Sequence, residues 1–150
     1  MDTTEKSQQV SGQQGSAQQG MRLQKAFVSA TPFSPGRRPF FKYRDLGVAD
    51  ASAGALRAQV MSSSQGMSRP TGWHYHECDG QFIYMLEGWV DLEFEDGRTI
   101  RVEKGDSLFI PGYLRHNEIR TSDKMEILEV SSPGQMGTTP CDPPAGFSRP

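Results

Sequence analysis

The sequence predicts an all-β chain, and three observations carry that expectation. Apolar side chains recur at every second position, as in Leu56-Arg57-Ala58-Gln59-Val60-Met61 and from Trp89 to Glu95. These runs are short and separated by Gly, Pro, Asp and Ser turn signals. No stretch has a convincing amphipathic helical period. Short strands at regular spacing with turns between them build a sandwich or a barrel.

Residues 1 to 20 are dominated by Gln, Ser and Gly and cannot repay the entropy of ordering, so a disordered extension is expected there. Met21 looks as much like a start as Met1 does. From Phe27 to Gly47, turn chemistry at Thr31-Pro32 and Ser34-Pro35-Gly36 precedes a strand at Pro39-Phe40-Phe41-Lys42-Tyr43. The prolines favour an edge position for it, because Pro cannot donate to a ladder. Leu56 to Met61 follows as a half-buried strand, and Ser62 to Gly72 reads as a loop. The continuous apolar run Phe82-Ile83-Tyr84-Met85-Leu86 suits a strand buried on both faces. In the next strand Val90, Leu92 and Phe94 lie on one side, with Asp91, Glu93 and Glu95 on the other. Asp96-Gly97 supplies a hairpin turn, and Arg98 to Glu103 returns with Ile100 and Val102 inward. Strands at Leu108 to Pro111 and Met125 to Val130 complete the series. The expected organisation is an extension over 1–20, a barrel with N-terminal strand additions over 21–132, and a Pro/Gly-rich tail over 133–150 that lies over the barrel or frays.

A chain of 150 residues has a single-domain length. Its formal net charge of −2 leaves no basic footprint, which disfavours nucleic acid as a partner. No apolar run approaches the roughly 18 residues of a spanning helix, and the N-terminus is polar, so neither membrane nor secretory signal is expected and the cytoplasm is the expected location. Cys78 and Cys141 are far apart, and a disulfide between them is not expected in a reducing compartment.

The chemistry concentrates between His74 and His116, a stretch that holds all 3 histidines of the chain. His74 and His76 are two apart and share one face of a strand. Four residues lead from His76 to Gln81 and six more to Gly88; later come Gly105, Pro111 and His116. Imidazole suits Zn, Cu, Fe and Ni, and His116 can complete a set that two histidines alone would hold poorly.

This stretch resembles the cupin superfamily over roughly residues 55 to 131. The first family motif runs His-any-His, three or four residues, Glu, six residues, Gly. Its spacing is kept here, with Gln81 at the Glu position. The second motif is kept at Gly105, Pro111 and His116, while Tyr113 stands at its second Gly and Arg120 at its Asn. The resemblance implies a double-sheet jelly-roll barrel, the double-stranded β-helix, with a metal ion inside. It also implies a homodimer, to which an edge strand at 39–44 could contribute.

The expected metal ligands are His74, His76, His116 and Gln81. Gln81 could instead support a ligand histidine or a bound water by hydrogen bonding. The ion is expected to be divalent, with Fe, Mn, Ni and Zn all open. Neutral donors leave its full charge in place, which favours an anionic small-molecule substrate and Lewis-acid chemistry. Glu118, two residues beyond His116, is the candidate general base, or else a barrel-mouth carboxylate paired with an arginine. Arg57 shares a face with Gln59 and could bind a substrate carboxylate if that face is inward. Tyr75 is expected outward; Glu77 and Asp79 should be solvated. Tyr113 and Arg115 could line or cover the mouth, and nothing near Cys78 activates its thiol.

Three functions fit. One is an isomerase, epimerase or lyase acting on a small oxygenated acid or sugar acid, as implied by the resemblance to cupins that open or isomerise uronate-type sugars. The others are an Fe(II)-dependent dioxygenase and a non-catalytic small-ligand-binding barrel.

Overall fold

The computed structural model describes residues 18–147. The expectation for residues 1–20 lies, over 1–17, outside the described residues; Gln18 to Gly20 form an exposed turn closed by Met21 N–H on the Gln18 carbonyl, 3.0 Å.

The strands are β1 (Ser34–Pro35), β2 (Lys42–Asp45), β3 (Arg57–Ser63), β4 (His74–Glu77), β5 (Gly80–Glu87), β6 (Trp89–Phe94), β7 (Thr99–Glu103), β8 (Ser107–Pro111), β9 (His116–Thr121), β10 (Met125–Ser132) and β11 (Gly137–Pro140). A four-residue helix, α1 (Val48–Ala51), interrupts the path from β2 to β3. One sheet of 6 strands runs β1-β2-β3-β10-β5-β8 and the other, of 5, runs β11-β4-β9-β6-β7. All pairings are antiparallel. No helix among the described residues is long and apolar enough to cross a membrane.

Alternation decides what lies between the sheets. Met61, Ile83 and Met85 from the larger sheet meet Val90, Leu92, Phe94 and Val102 from the smaller one, with Ile110, Met125 and Ile127 filling between them. Met85 and Met125 are wholly excluded from solvent. This apolar cluster fills part of the interior; polar side chains line the rest.

Three expectations need correction. The run Phe82 to Leu86 is not buried on both faces: Ile83 and Met85 point in, whereas Phe82, Tyr84 and Leu86 stand 38–40% exposed on the outer face. An apolar run without polar alternation looks the same whether its second face is covered or open. The strand at 39–44 begins only at Lys42 and is not an edge. It lies between β1 and β3, although β1 covers it only at Tyr43 and Lys42. The Pro/Gly tail carries structure, since β11 pairs with β4 over four residues and Phe147 packs against Trp73 at 4.7 Å.

Candidate active site

Two glycines fix the strands that bear the histidines. Gly88 has φ +73, and a Cβ there would fall 2.2 Å from the Lys124 carbonyl oxygen, so the turn into β6 closes only with glycine. A Cβ on Gly112 would sit 1.6 Å from the Cys78 carbonyl oxygen. The loop therefore lies flat on the end of β4, with Gly112 N–H on the Asp79 carbonyl and Tyr113 N–H on the His76 carbonyl at 3.1 and 2.9 Å. Tyr113 itself takes φ +64, the left-handed conformation that the family's glycine would supply at this position. Its ring lies 65% exposed and 5.8 Å from the outward ring of Tyr75.

Pinned this way, β9 starts with His116 directly opposite His74 of β4. His76 lies on the same face two residues on, and Thr138 of β11 pairs with it on the other side. The three rings stand 4.5, 5.0 and 5.2 Å apart between centroids, and one ligand nitrogen from each lies within 4.8 Å of the others.

The hydrogen bonds say which nitrogen that is. Nδ1 of His74 is 2.8 Å from the Gly72 carbonyl oxygen, and Nδ1 of His116 is 2.8 Å from that of Leu114. A carbonyl only accepts, so each of these Nδ1 atoms carries a proton, and Nε2 is the nitrogen left to offer a lone pair to an ion. Nδ1 of His76 meets the Thr138 hydroxyl at 3.0 Å. Nε2 of His116 is buried with no hydrogen-bond partner among the described residues. Burial first, then the neighbouring imidazoles, pushes His76 down to about 4, and burial likewise lowers His116. A buried orphan lone pair beside two other imidazoles is costly unless something electron-poor takes it up. The donor set fits a divalent transition ion or zinc, with each ring oriented by a partner behind it.

His74 and His76 open onto a cavity of about 730 Å3 between the sheets, with His116 buried behind them. Gln81 of β5 is buried in its wall, and its amide has no hydrogen-bond partner among the described residues. Glu118 of β9 lines the cavity, 3.7 Å from His74 Nε2, and accepts a hydrogen bond from the Thr71 hydroxyl. Burial works to raise its pKa, but the His74 and His116 rings and the Thr71 hydroxyl hold it down at about 2. The alternative expectation, a carboxylate paired with an arginine, is not met, since no arginine pairs with it among the described residues. Arg57 does face inward, and its Nη2 donates to Gln59 Oε1 at 2.6 Å. Arg37 and Arg38 add positive charge to the wall, and Arg38 is tied to the Thr71 carbonyl. Arg120, at the family's Asn position, turns away to Asp91 at 3.0 Å. Glu77 and Asp79 are exposed, Arg115 pairs with Glu95 at 2.6 Å, and Cys78 is a free, buried thiol whose pKa burial raises.

Sequence reasoning missed two groups on the cavity wall, Glu129 and Tyr43. Burial, followed by the negative charge of Glu129 and Glu118, raises the Tyr43 phenol well above its ordinary value. Burial also raises Glu129, to about 7, against the lowering effect of the Gln59 hydrogen bond. A signal for Glu129 existed: it shares the face of Met125 and Ile127, the one charged side chain on the apolar side of β10.

The two-sheet antiparallel barrel thus holds a histidine cluster that could bind a metal ion. Residues 64–131 match the family model described as a cupin domain. No curated protein matches the sequence. Among solved structures, the chain is similar to the polyketide cyclase RemF from Streptomyces resistomycificus, with 22% identity, 85% of this chain and 88% of that one covered, and a TM-score of 0.65. It is also similar to KdgF from a Halomonas species, at 18% identity, 76% and 96% coverage and a TM-score of 0.64. An oxalate decarboxylase from Bacillus subtilis matches at 23% identity and a TM-score of 0.57, over 75% of this chain but 30% of that longer one. At these identities the likeness establishes the fold.

Proposed function

We propose that this chain is a metal-dependent cupin enzyme acting on a small oxygenated acid or sugar acid by isomerase, epimerase or lyase chemistry. The observation that carries the reading is the convergence of one ring nitrogen from each of three histidines beside a cavity whose wall also bears Arg37, Arg38 and Arg57. His74, His76 and His116 would hold the ion, with Gln81 as a fourth ligand. Bound there, a divalent ion supplies Lewis acidity toward a carbonyl or hydroxyl oxygen, undiminished by any carboxylate among these donors. The arginines favour an anionic ligand, and Phe41, Met61 and Trp73 in the wall exclude water from part of it.

The test is metal content of untagged protein together with turnover on a panel of sugar acids and keto acids. Zinc, nickel or manganese with turnover and no oxygen uptake supports the proposal. Iron with oxygen uptake replaces it by a dioxygenase, and no metal at all by a binding barrel. Changing Gln81 to Glu should tighten metal retention if Gln81 is a ligand and leave it unchanged if the amide only supports one. A homodimer is part of the proposal, and the exposed Phe82, Tyr84, Leu86 and Phe109 support the outer face of the larger sheet as its interface better than strand 39–44 does.

A further inference from the structure

We infer that Glu129, rather than Glu118, is the acid–base group of the cavity, its proton carried on Oε1 and its other oxygen fixed by the pair Gln59 and Arg57. The inference rests on reading the cavity as the substrate site.

The hydrogen-bond chain has only one direction. Arg57 has nothing but donors, so the Gln59 atom it meets at 2.6 Å is the amide oxygen. The amide nitrogen of Gln59 must then face Glu129, and it donates to Oε2 at 2.6 Å. An oxygen that accepts this bond in the plane of the amide is a poor site for the carboxyl proton. The proton of neutral Glu129 therefore sits on Oε1, which has no hydrogen-bond partner among the described residues and belongs to a side chain lining the cavity. In the forward sense the Oε1–H bond breaks, the proton passes to a basic atom of the bound ligand, and the carboxylate left behind keeps the Gln59 N–H. In the reverse sense Oε1 takes the proton back.

Strand register explains how the three residues meet. Gln59 of β3 is directly opposite Glu129 of β10, and Arg57 is opposite Ser131. The groups bearing on Glu129 are Tyr43 from β2, Arg57 and Gln59 from β3, and Glu118 from β9 across the cavity; β5 places the apolar Ile83 opposite it. Burial and Glu118 hold it neutral toward pH 7, while Gln59 and Arg57 oppose them. Glu118 is already engaged on the histidine wall, where it accepts the Thr71 hydroxyl hydrogen bond and lies 3.7 Å from His74 Nε2. A group poised near the working pH can both give and take a proton.

The experiment is infrared difference spectroscopy of the metal-loaded full chain across pH, on the parent protein and the E129Q, Q59L and E118Q variants. The expected result is a carboxylic-acid carbonyl band present at about pH 6 and lost above about pH 8. It should be absent from E129Q, retained in E118Q with a lower midpoint, and shifted within mixing time in heavy water because Oε1 faces the cavity. Q59L removes a donor to the ionised form and should raise the midpoint, which keeps the inference testable if E129Q fails to fold. A missing band, a band that persists in E129Q, a midpoint in the ordinary carboxylate range, or a proton that does not exchange would each overturn it. Elemental analysis of the same samples separates the outcomes: absent metal ends the metal reading and leaves the Glu129 titration standing or falling by itself.

Discussion

The two walls of the cavity are built by opposite routes. On the smaller sheet, the metal-competent pole comes from residues two apart on β4 and one cross-strand neighbour on β9, each held from behind by a carbonyl or a hydroxyl. On the larger sheet, the proton-bearing pole comes from Arg57, Gln59 and Glu129, 70 residues apart at the extremes of its shortest cross-strand bond. In the first wall the His74–His76 spacing is local, and His116 joins it through one register pair of β4 with β9. The second exists only in one register of β3 against β10, because a slip by one residue would turn Glu129 outward. On this reading the barrel places the metal pole and the proton-bearing carboxyl of Glu129 on different sheets.

Substitutions can break this division one wall at a time. The largest effect is expected from E129Q: turnover of a panel substrate should fall by about 100-fold or more with metal content unchanged, measured as kcat/KM beside elemental analysis. The converse on the other wall is T138V, which removes the hydroxyl behind His76. Metal affinity should weaken by about 10- to 100-fold while the infrared band of Glu129 stays in place, as a chelator competition would report.

A smaller effect concerns stability. Glu129 has its folded pKa raised from 4.5 to about 7, so between these values the native state holds a proton that the unfolded chain has released. Stability then falls as pH rises through this window, by at most ~3 kcal/mol from this group, and is fully present only below the unfolded value. Urea unfolding of parent protein and E129Q at pH 5 and pH 8 checks the sign: the difference between the two proteins should move against the parent at the higher pH.

The fold and the histidine wall were legible because their signals are short-range. Period-two alternation located β3, β6 and β7, Asp96-Gly97 marked the hairpin, and the histidine spacing held. Glu118 was placed correctly on the inner face by alternation, but its bond to Thr71 was invisible, since Thr71 lies in what reads as a Ser/Gly/Pro loop. Strand β11 was lost for a similar reason: Gly137-Thr138-Thr139-Pro140 has no apolar pattern, and its pairing is driven by β4 rather than by its own sequence. Phe82 to Leu86 misled because an apolar outer face mimics a buried one. Glu129 was overlooked because a charged residue within a strand reads as solvated until its cross-strand partners are known.

The most direct test of the account is the metal content of untagged protein beside H116A. His116 is 1% exposed, directly opposite His74, and its Nε2 has no other partner among the described residues. The account predicts stoichiometric divalent metal in the parent chain and essentially none in H116A, with E129Q indistinguishable from the parent. Metal retained in full by H116A, or a parent protein that takes up none when offered each candidate ion, would contradict it.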